Sequence, residues 1–458
     1  MALFHRPRIV LAGVSSGVGK TTIVTGLLSL FRLKGLSVQP FKVGPDYIDP
    51  GFHTLAAGRP SCNLDTWLVP PERLPASFAV LSEGADLSII EGVMGLFDGG
   101  SQGVSSTADI AKRLKAPVVL VINCQSVGTS AAATALGYRE YDKDLHIAGV
   151  ILNKLGSDKH EAMIRDAMAG IGMPVLGAFH RDDAMKTPER HLGLTPVTET
   201  ETKHLIASMR DAAAKWTDAD ALLAIARKAP DLAVEKEEDD GKSFPVTIAV
   251  AEDEAFTFYY PTSLKALEER GATLIPFSPL RDKALPEADG VLFGGGFPEM
   301  FLTELEENES MKASIRSAKE KGMPIYAECG GLMYLCQGIA GFDGKTYAMA
   351  GLVPAVCRMQ KKLQRVGYVT GTALRKSILA EAGETLRGHE FHFSTLEGDL
   401  SHFPWAYDLQ GTRQNAPHQE GYAEGSVLAT YLHISFEGNP TARDRYLAAC
   451  LDYQKQKG

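Results

Sequence analysis

The sequence predicts an α/β protein of two domains, and three observations carry that expectation. From Arg8 to about Ile151 short apolar runs rich in β-branched residues alternate with longer amphipathic stretches. A block of charge then interrupts the pattern, and after it the strand signals restart. The runs RIVLAG, SVQPFKV, LSIIEGV, APVVLVINC and IAGVILNK are of strand length and separated by helical segments, as expected for a doubly wound, mostly parallel sheet covered on both faces. A helical, Ala-rich stretch follows (Asp220 to Arg227), and then AVEKEEDDGKS, in which all six residues from Glu235 to Asp240 are charged. Such a composition solvates rather than packs. The expected division is a first domain over 1–234, a linker over 235–244 and a second α/β domain over 245–458. In the second domain PVTIAVA, ATLIPFS, GVLFGGG and MPIYAECG read as strands. The distal RVGYVTGTAL, HEFHFSTLE and GSVLATYLHISFE alternate more, consistent with an antiparallel or mixed extension of the sheet.

Composition narrows the function. The chain has 458 residues, a net charge of −9, 45% hydrophobic and 22% charged residues, which excludes collagen-like and wholly disordered classes. Its acidity argues against nucleic acid as a partner, while leaving room for a local basic pocket. No run approaches the roughly 18 apolar residues of a membrane span, and the opening MALFHRPRIVLAG has no cleavable apolar core, so a cytoplasmic protein is expected. The six cysteines show no CxxC spacing, so neither a disulfide framework nor a zinc ribbon is indicated, and a special cysteine would be special for its reactivity.

The segment RIVLAGVSSGVGKTTIVTGLL reads as strand, glycine-rich turn and helix start, the context of a phosphate-binding loop. Gly17, Val18, Gly19, Lys20, Thr21 and Thr22 are the nucleotide-binding candidates. The glycines let backbone N–H groups face phosphate oxygens, Lys20 brings a cation to the β/γ phosphates, and the Thr21 hydroxyl can ligate Mg2+. Gly13 is followed by five residues before Gly19, one more than usual. The alternative to an ATP-using enzyme is a P-loop switch. Such switches carry a lysine five residues before the loop lysine, where this chain has Ser15. Downstream, IIEGVMGLFDG ends an apolar strand and offers Glu91 as a Mg2+ ligand and Asp98 as a second acid; a solvated strand end before a Gly turn is the plain alternative. FKVGPDYIDPGFH contributes Lys42, Asp46, Tyr47, Asp49 and His53 at another strand end, stiffened by Pro45 and Pro50; two prolines around acids equally describe a surface turn.

MPIYAECGGLMYL reads as strand, sharp turn and helix, with Cys329 at the turn. That pattern is a nucleophile elbow, and a helix N-terminus there is expected to lower the thiol pKa. The amide of Gly330 can donate to an oxyanion, and Gly295, in the glycine run of GVLFGGGFPE, is the candidate second donor. The other five cysteines read as small core residues. Of 12 histidines, His433 in ATYLHISFEGNP directly follows an apolar strand and is the candidate base, while His389 and His392, three apart and so on opposite faces of a strand, could place at most one in a site, with structural roles an equal alternative.

With these motifs in place, the second half resembles class I glutamine amidotransferase domains: GGGFPE, the AECGG elbow, then a histidine after the last strand. Such domains normally place an acid two residues after that histidine. Here the position is Ser435 and the nearest following acid is Glu437, so a Cys329–His433 dyad rather than a triad is expected. The first half resembles dethiobiotin synthetase and its relatives. Together with KVGPDYIDPGFH, CNLDTW, EGVMGLFDG, NKLGS and RHLGL, the chain resembles the cobyrinic acid a,c-diamide synthase family of cobalamin-biosynthesis glutamine amidotransferases over essentially its whole length.

The resemblance implies an ATP- and Mg2+-using enzyme that amidates two acetate carboxylates of a corrinoid through an acyl phosphate. Thr21, Glu91 and Asp46 would face the metal. Relatives acting on hydrogenobyrinic acid or nickel sirohydrochlorin leave the macrocycle open, and a P-loop switch with an inactive glutaminase-like domain is the alternative of a different class. The resemblance also places Asn153 of NKLG near the nucleotide base, although it could equally be a strand-end Asn. It makes Lys42, Tyr47, Asp49, Asp98, Arg190 and His191 candidates for the substrate polycarboxylate, with Arg181 and Lys186 in the same HRDDAMKTPERHLGL segment; a solvated charged loop is the alternative. Expected partners are small molecules, a corrinoid polycarboxylate and glutamine, with no membrane; a homodimer is compatible with this, and the sequence does not set the oligomeric state.

Overall fold

A computed structural model describes residues 2–181, 199–234, 241–412 and 416–457, and no helix among them is long and apolar enough to cross a membrane. The chain forms two compact units, one of residues 1–66 and 70–238, the other of 239–458 joined by the short piece Trp67–Val69. Most of the charged stretch 235–244 lies outside the described residues.

The first unit is built on a seven-stranded sheet. Its strands lie in the order Cys62–Leu64, Val38–Val43, Leu87–Gly95, Arg8–Gly13, Val118–Asn123, Ile147–Leu155 and Val175–His180, and every pairing is parallel. The apolar runs explain this. All six residues of RIVLAG are buried, yet Val10 and Ala12 pack into one core cluster and Ile9 and Leu11 into another. A strand with both faces covered needs apolar residues at every position, not at alternate ones. One covering layer includes the helix Lys20–Leu33, which the helix Glu199–Trp216 approaches so closely that a Cβ on Gly26 would lie 2.4 Å from the Met209 carbonyl oxygen.

Arg8, fully buried at the start of its strand, spends its guanidinium on three carbonyls: Nε to Leu114 O and NH2 to Pro230 O, both at 2.6 Å, and NH1 to Arg6 O at 2.8 Å. Burial pulls its pKa down to about 10, with Asp231 acting in the opposite sense.

The second unit carries a ten-stranded sheet. Thr273–Phe277, Thr247–Ala251, Gly290–Phe293, Ile325–Glu328 and Val427–Thr430 pair in parallel, and His418–Glu424, Trp405–Gly411, Arg365–Ala373, Thr385–His392 and His433–Ile434 continue the sheet antiparallel. A four-stranded sheet of Thr346–Ala348, Cys336–Ala340, Val353–Met359 and Ser394–Glu397 accompanies it. All six cysteines are buried, and no two of them form a disulfide.

Replacing Arg8 by Met keeps most of the buried volume but leaves three carbonyls without their charged donor. The expected loss is about 3 kcal/mol from the unfolding free energy of the first unit, read from its urea transition. A change within about 0.5 kcal/mol would mean that Arg8 does not hold the strand to its neighbours.

Candidate functional site

In the first unit the polar residues gather at the carboxyl ends of the parallel strands, where ligands of open α/β sheets collect. Gly17 (φ 72°) and Gly19 (φ 91°) both take the left-handed conformation, which L side chains avoid. Asn153 supports the loop from below: its Nδ2 donates to Val18 O at 2.7 Å, and a Cβ on Gly19 would collide with that amide at 2.4 Å. Lys154 Nζ adds a bond to Gly17 O (3.2 Å). Asn153 therefore shapes the phosphate loop directly, a role the sequence reading did not consider. The helix that follows has neither a side-chain cap nor an acid in its first turn, so its leading N–H groups suit an anion.

Lys20 Nζ donates to Met94 O at 2.6 Å; burial lowers its pKa, opposed by Glu91. Thr21 Oγ1 lies 2.8 Å from Glu91 Oε1 and 3.2 Å from Asp49 Oδ2. Between these acids sits Lys42, its Nζ 2.6 Å from Asp49 Oδ2, 2.8 Å from Glu91 Oε1 and 3.8 Å from Asp46 Oδ2. His53 Nε2 stands 2.7 Å from the other Glu91 oxygen. Burial alone would protonate Glu91, but Lys42 and His53 overcome it and hold the carboxyl far below the ordinary range. The same acids, against burial, push Lys42 above the ordinary lysine range. Asp46 goes the other way, raised by burial and by Asp49, while its Oδ1 accepts from the amides of Ile48 (2.8 Å) and Asp49 (3.1 Å).

This arrangement corrects part of the substrate expectation. Lys42 is buried and committed to Glu91 and Asp49, so it is not presented as a cation for an incoming carboxylate; Asp49 belongs with the acids around Thr21. Asp98 accepts from the Gly95 amide (2.9 Å) and closes a turn. Tyr47 is half-buried on the Asp46 loop and Arg181 is exposed. Lys186, Arg190 and His191 lie outside the described residues.

Among the described residues no three His, Cys, Asp or Glu side chains converge as a metal site. Mg2+ between phosphates does not need them, because it takes one or two protein oxygens and completes its shell with phosphate and water. The adjacent Thr21 hydroxyl and Glu91 carboxylate beside an uncapped helix start fit that requirement.

In the second unit Ile325–Glu328 ends in Cys329, whose φ of 46° and ψ of −102° mark a strained elbow before the short helix Gly330–Leu335. Both following glycines are required by close packing. A Cβ on Gly330 would lie 2.9 Å from Gly296 N, and one on Gly331 would lie 2.6 Å from Phe293 Cβ. The glycine run thus lies against the elbow: Gly331 N donates to Gly294 O (3.1 Å), Phe258 N to Gly295 O (3.0 Å), and the Tyr259 hydroxyl accepts from Gly294 N (2.8 Å). His433 comes to the same place. Cys329 N donates to Thr430 O (2.7 Å) at the end of the neighbouring strand, three residues before His433, and a Cβ on Gly295 would lie 2.9 Å from His433 Cε1.

Two expectations about this site change. Burial, with Glu299 and Cys357 adding to it, pushes the Cys329 thiol well above its ordinary pKa; the helix is only six residues long, and desolvation outweighs it. In addition, His433 does have an acidic partner. Glu328, the residue before Cys329, places Oε2 3.0 Å from His433 Nδ1, while Ser435 Oγ accepts from Gly438 N (3.4 Å) in a turn. His389, open in the sequence between a site and a structural role, stacks on the His433 ring (centroids 4.9 Å, 14°) and bonds the Tyr260 hydroxyl at 2.6 Å. Burial and the neighbouring His433 hold it far below the ordinary histidine pKa, hence neutral. Only the Glu that immediately precedes Cys329 was a visible signal in the sequence, and nothing local ties it to a histidine 105 residues away.

The raised thiol pKa gives a pH dependence. In the absence of substrates, alkylation of Cys329 by iodoacetamide should keep accelerating through pH 9.5, above the ordinary thiol value of about 8.5, as followed by peptide mass spectrometry. A plateau near pH 7 would mean that the resting enzyme holds a thiolate.

Two family descriptions match the chain: a CobQ/CobB/MinD/ParA nucleotide binding domain over residues 9–194 and a CobB/CobQ-like glutamine amidotransferase domain over 247–441. Three curated relatives carry the name cobyrinate a,c-diamide synthase. That of Syntrophotalea carbinolica is 42% identical over 97% of this chain and 98% of its own length. Those of Dehalococcoides mccartyi (strain CBDB1) and Salmonella typhimurium are 43% and 41% identical, each covering 98% of this chain and 99% of their own length. A phosphate loop in one unit, a cysteine elbow in the other and likeness from end to end lead to one conclusion: the chain belongs to the cobyrinate a,c-diamide synthase family of CobB/CobQ-like glutamine amidotransferases.

Proposed function

We propose that this chain is a cytoplasmic, ATP- and glutamine-dependent ligase that converts the a and c acetate side chains of cobyrinic acid to amides. The observation that carries the reading is the presence in one chain of Lys20 and Thr21 at an uncapped helix start and Cys329 on a strained elbow beside His433.

At the elbow, Cys329 Sγ attacks the side-chain amide carbon of glutamine. Its proton passes to His433 and on to the leaving nitrogen, which departs as ammonia. Water, losing a proton to His433, then opens the glutamyl thioester to glutamate, and that proton passes to the departing Cys329 Sγ to restore the thiol. The amides of Gly295 and Gly330 hold the oxyanion.

The other reaction starts from a carboxylate, a poor electrophile whose leaving group would be an oxide or hydroxide. A substrate carboxylate oxygen attacks the γ-phosphorus of ATP and ADP leaves. The acyl phosphate then accepts the nitrogen of ammonia and releases inorganic phosphate. Gly17 to Thr22 hold the phosphates, and Lys20 neutralises the charge that moves onto the leaving ADP. Thr21 and Glu91 would hold Mg2+, with Asp46 beyond them; Mg2+ supplies charge neutralisation across the phosphate oxygens. Lys42 keeps Glu91 ionised beside those anions and pairs with Asp49, and Asn153 keeps the loop in shape.

The function is tested by incubating purified protein with ATP, Mg2+, glutamine and a panel of tetrapyrrole acids. Mass spectrometry should detect a monoamide of cobyrinic acid before the diamide. Preference for hydrogenobyrinic acid or nickel sirohydrochlorin would reassign the substrate, and ATP hydrolysis with no amide product would favour the switch. The division of labour makes its own prediction. Cys329→Ala should lose glutamine-driven amidation by about 10³-fold or more yet retain turnover with added ammonium salts. Lys20→Ala should lose about 10²-fold or more with either nitrogen donor, since no concentration of ammonia replaces phosphate neutralisation.

A further inference from the structure

The imidazole expected to shuttle protons at the elbow is held by a carboxylate from an unusual place. Tyr326 and Glu328, two residues apart, share one face of the strand Ile325–Glu328. Ile325, Ala327 and Cys329 pack into one core, while Tyr326 packs into the other together with Leu432 and Ile434, the neighbours of His433. Thus Glu328 reaches His433 from the face of the sheet opposite to the core that holds the nucleophile.

Its carboxylate is fully engaged. Oε2 lies 3.0 Å from His433 Nδ1, and Oε1 accepts from the Tyr326 hydroxyl (2.5 Å) and the Ile434 amide (3.2 Å). The tyrosine, raised well above its ordinary pKa by burial and by Glu328, stays a donor. The Glu328 side chain is 11% exposed and that of His433 1%. Burying a carboxylate this deeply is costly unless its charge is used by hydrogen-bonded partners. Here every partner serves to fix an oxygen in front of one nitrogen of one imidazole.

We propose that Glu328 is the positioning carboxylate of the glutaminase site. It holds His433 with a proton on Nδ1, so that Nε2 exchanges protons with the thiol, and it stabilises the imidazolium formed when Cys329 attacks. Proximity to the nucleophile in sequence thereby replaces the acid that the position of Ser435 lacks. The inference rests on the assignment of Cys329 as nucleophile and His433 as base. A carboxylate in this position matters most where the thiol is buried, because the proton has to be drawn off by the base rather than lost to water.

The test uses the full chain with ATP, Mg2+, cobyrinic acid and glutamine, with glutamate release as the readout. Glu328→Gln should lower kcat about 10²- to 10⁴-fold while KM for glutamine stays within about 3-fold. Glu328→Asp, which keeps the charge, should recover at least about tenfold over Gln. With 15N-labelled histidine, and His433 assigned through its loss in His433→Asn, the wild-type ring should show the Nδ1–H tautomer and Glu328→Gln should lose it. If the Gln variant fails to fold, Glu328→Asp and Tyr326→Phe carry the test, each with a fall in kcat at unchanged KM. Full glutaminase activity in a folded Glu328→Gln variant, or an unchanged tautomer, overturns the proposal alone. Full activity in His433→Ala overturns the assignment of the base, and the proposal with it.

Discussion

A parallel strand covered on both faces has one place for chemistry, the end where the sheet stops. That constraint organises both units. After Arg8, RIVLAG is apolar at every buried position, and its polar function begins only in the loop beyond Gly13. LSIIEGV admits Glu91 near its carboxyl end, SVQPFKV admits Lys42 next to its last residue, and MPIYAECG admits Glu328 and Cys329 as the strand gives way to helix. Charge cannot be spread along such strands, so it is concentrated at their tips, and concentrated charge has to be paired.

The pairing differs between the units because the chemistry differs. Around the Lys42 ammonium three carboxylates lie within 4 Å, and Lys42 holds Glu91 ionised among them. Such a cluster suits phosphates and a hard cation, whose charges need fixed counterparts. Around Cys329 the thiol, raised by burial, and His389, lowered by it, are neutral at rest, and Glu328 is the acid bonded to His433. Under the proposed mechanism a proton moves there in each step, and few standing charges let a single proton transfer dominate the local electrostatics.

Much of this was legible in the sequence, and the parts that were not share a cause. RIVLAG, LSIIEGV, APVVLVINC and GVLFGGG announced themselves because burial on both faces leaves a continuous apolar run, and the elbow and the phosphate loop because glycines beside a reactive residue have few other uses. The four-stranded sheet built from Cys336–Ala340 and Val353–Met359 was missed because its strands are short and its partner Ser394–Glu397 arrives from far along the chain. The same holds for the site. The Lys42–Glu91 and Glu328–His433 pairs span 49 and 105 residues, so their partners are set by the topology of the sheets rather than by local pattern. Lys42 therefore reads as a cation for the substrate and His433 as a base without an acid. The thiol was misjudged for a related reason: a helix start is visible in sequence, whereas the burial that outweighs it is not.

The central claim is that the nitrogen released at one site meets a carboxylate activated by phosphate at the other. Its most direct test is an isotope transfer. Cobyrinic acid carrying 18O in its carboxylates, turned over with ATP, Mg2+ and glutamine, should yield inorganic phosphate containing one 18O for each amide formed, because the oxygen that attacks phosphorus leaves with it. Phosphate free of 18O, formed alongside normal amide product, would contradict the account.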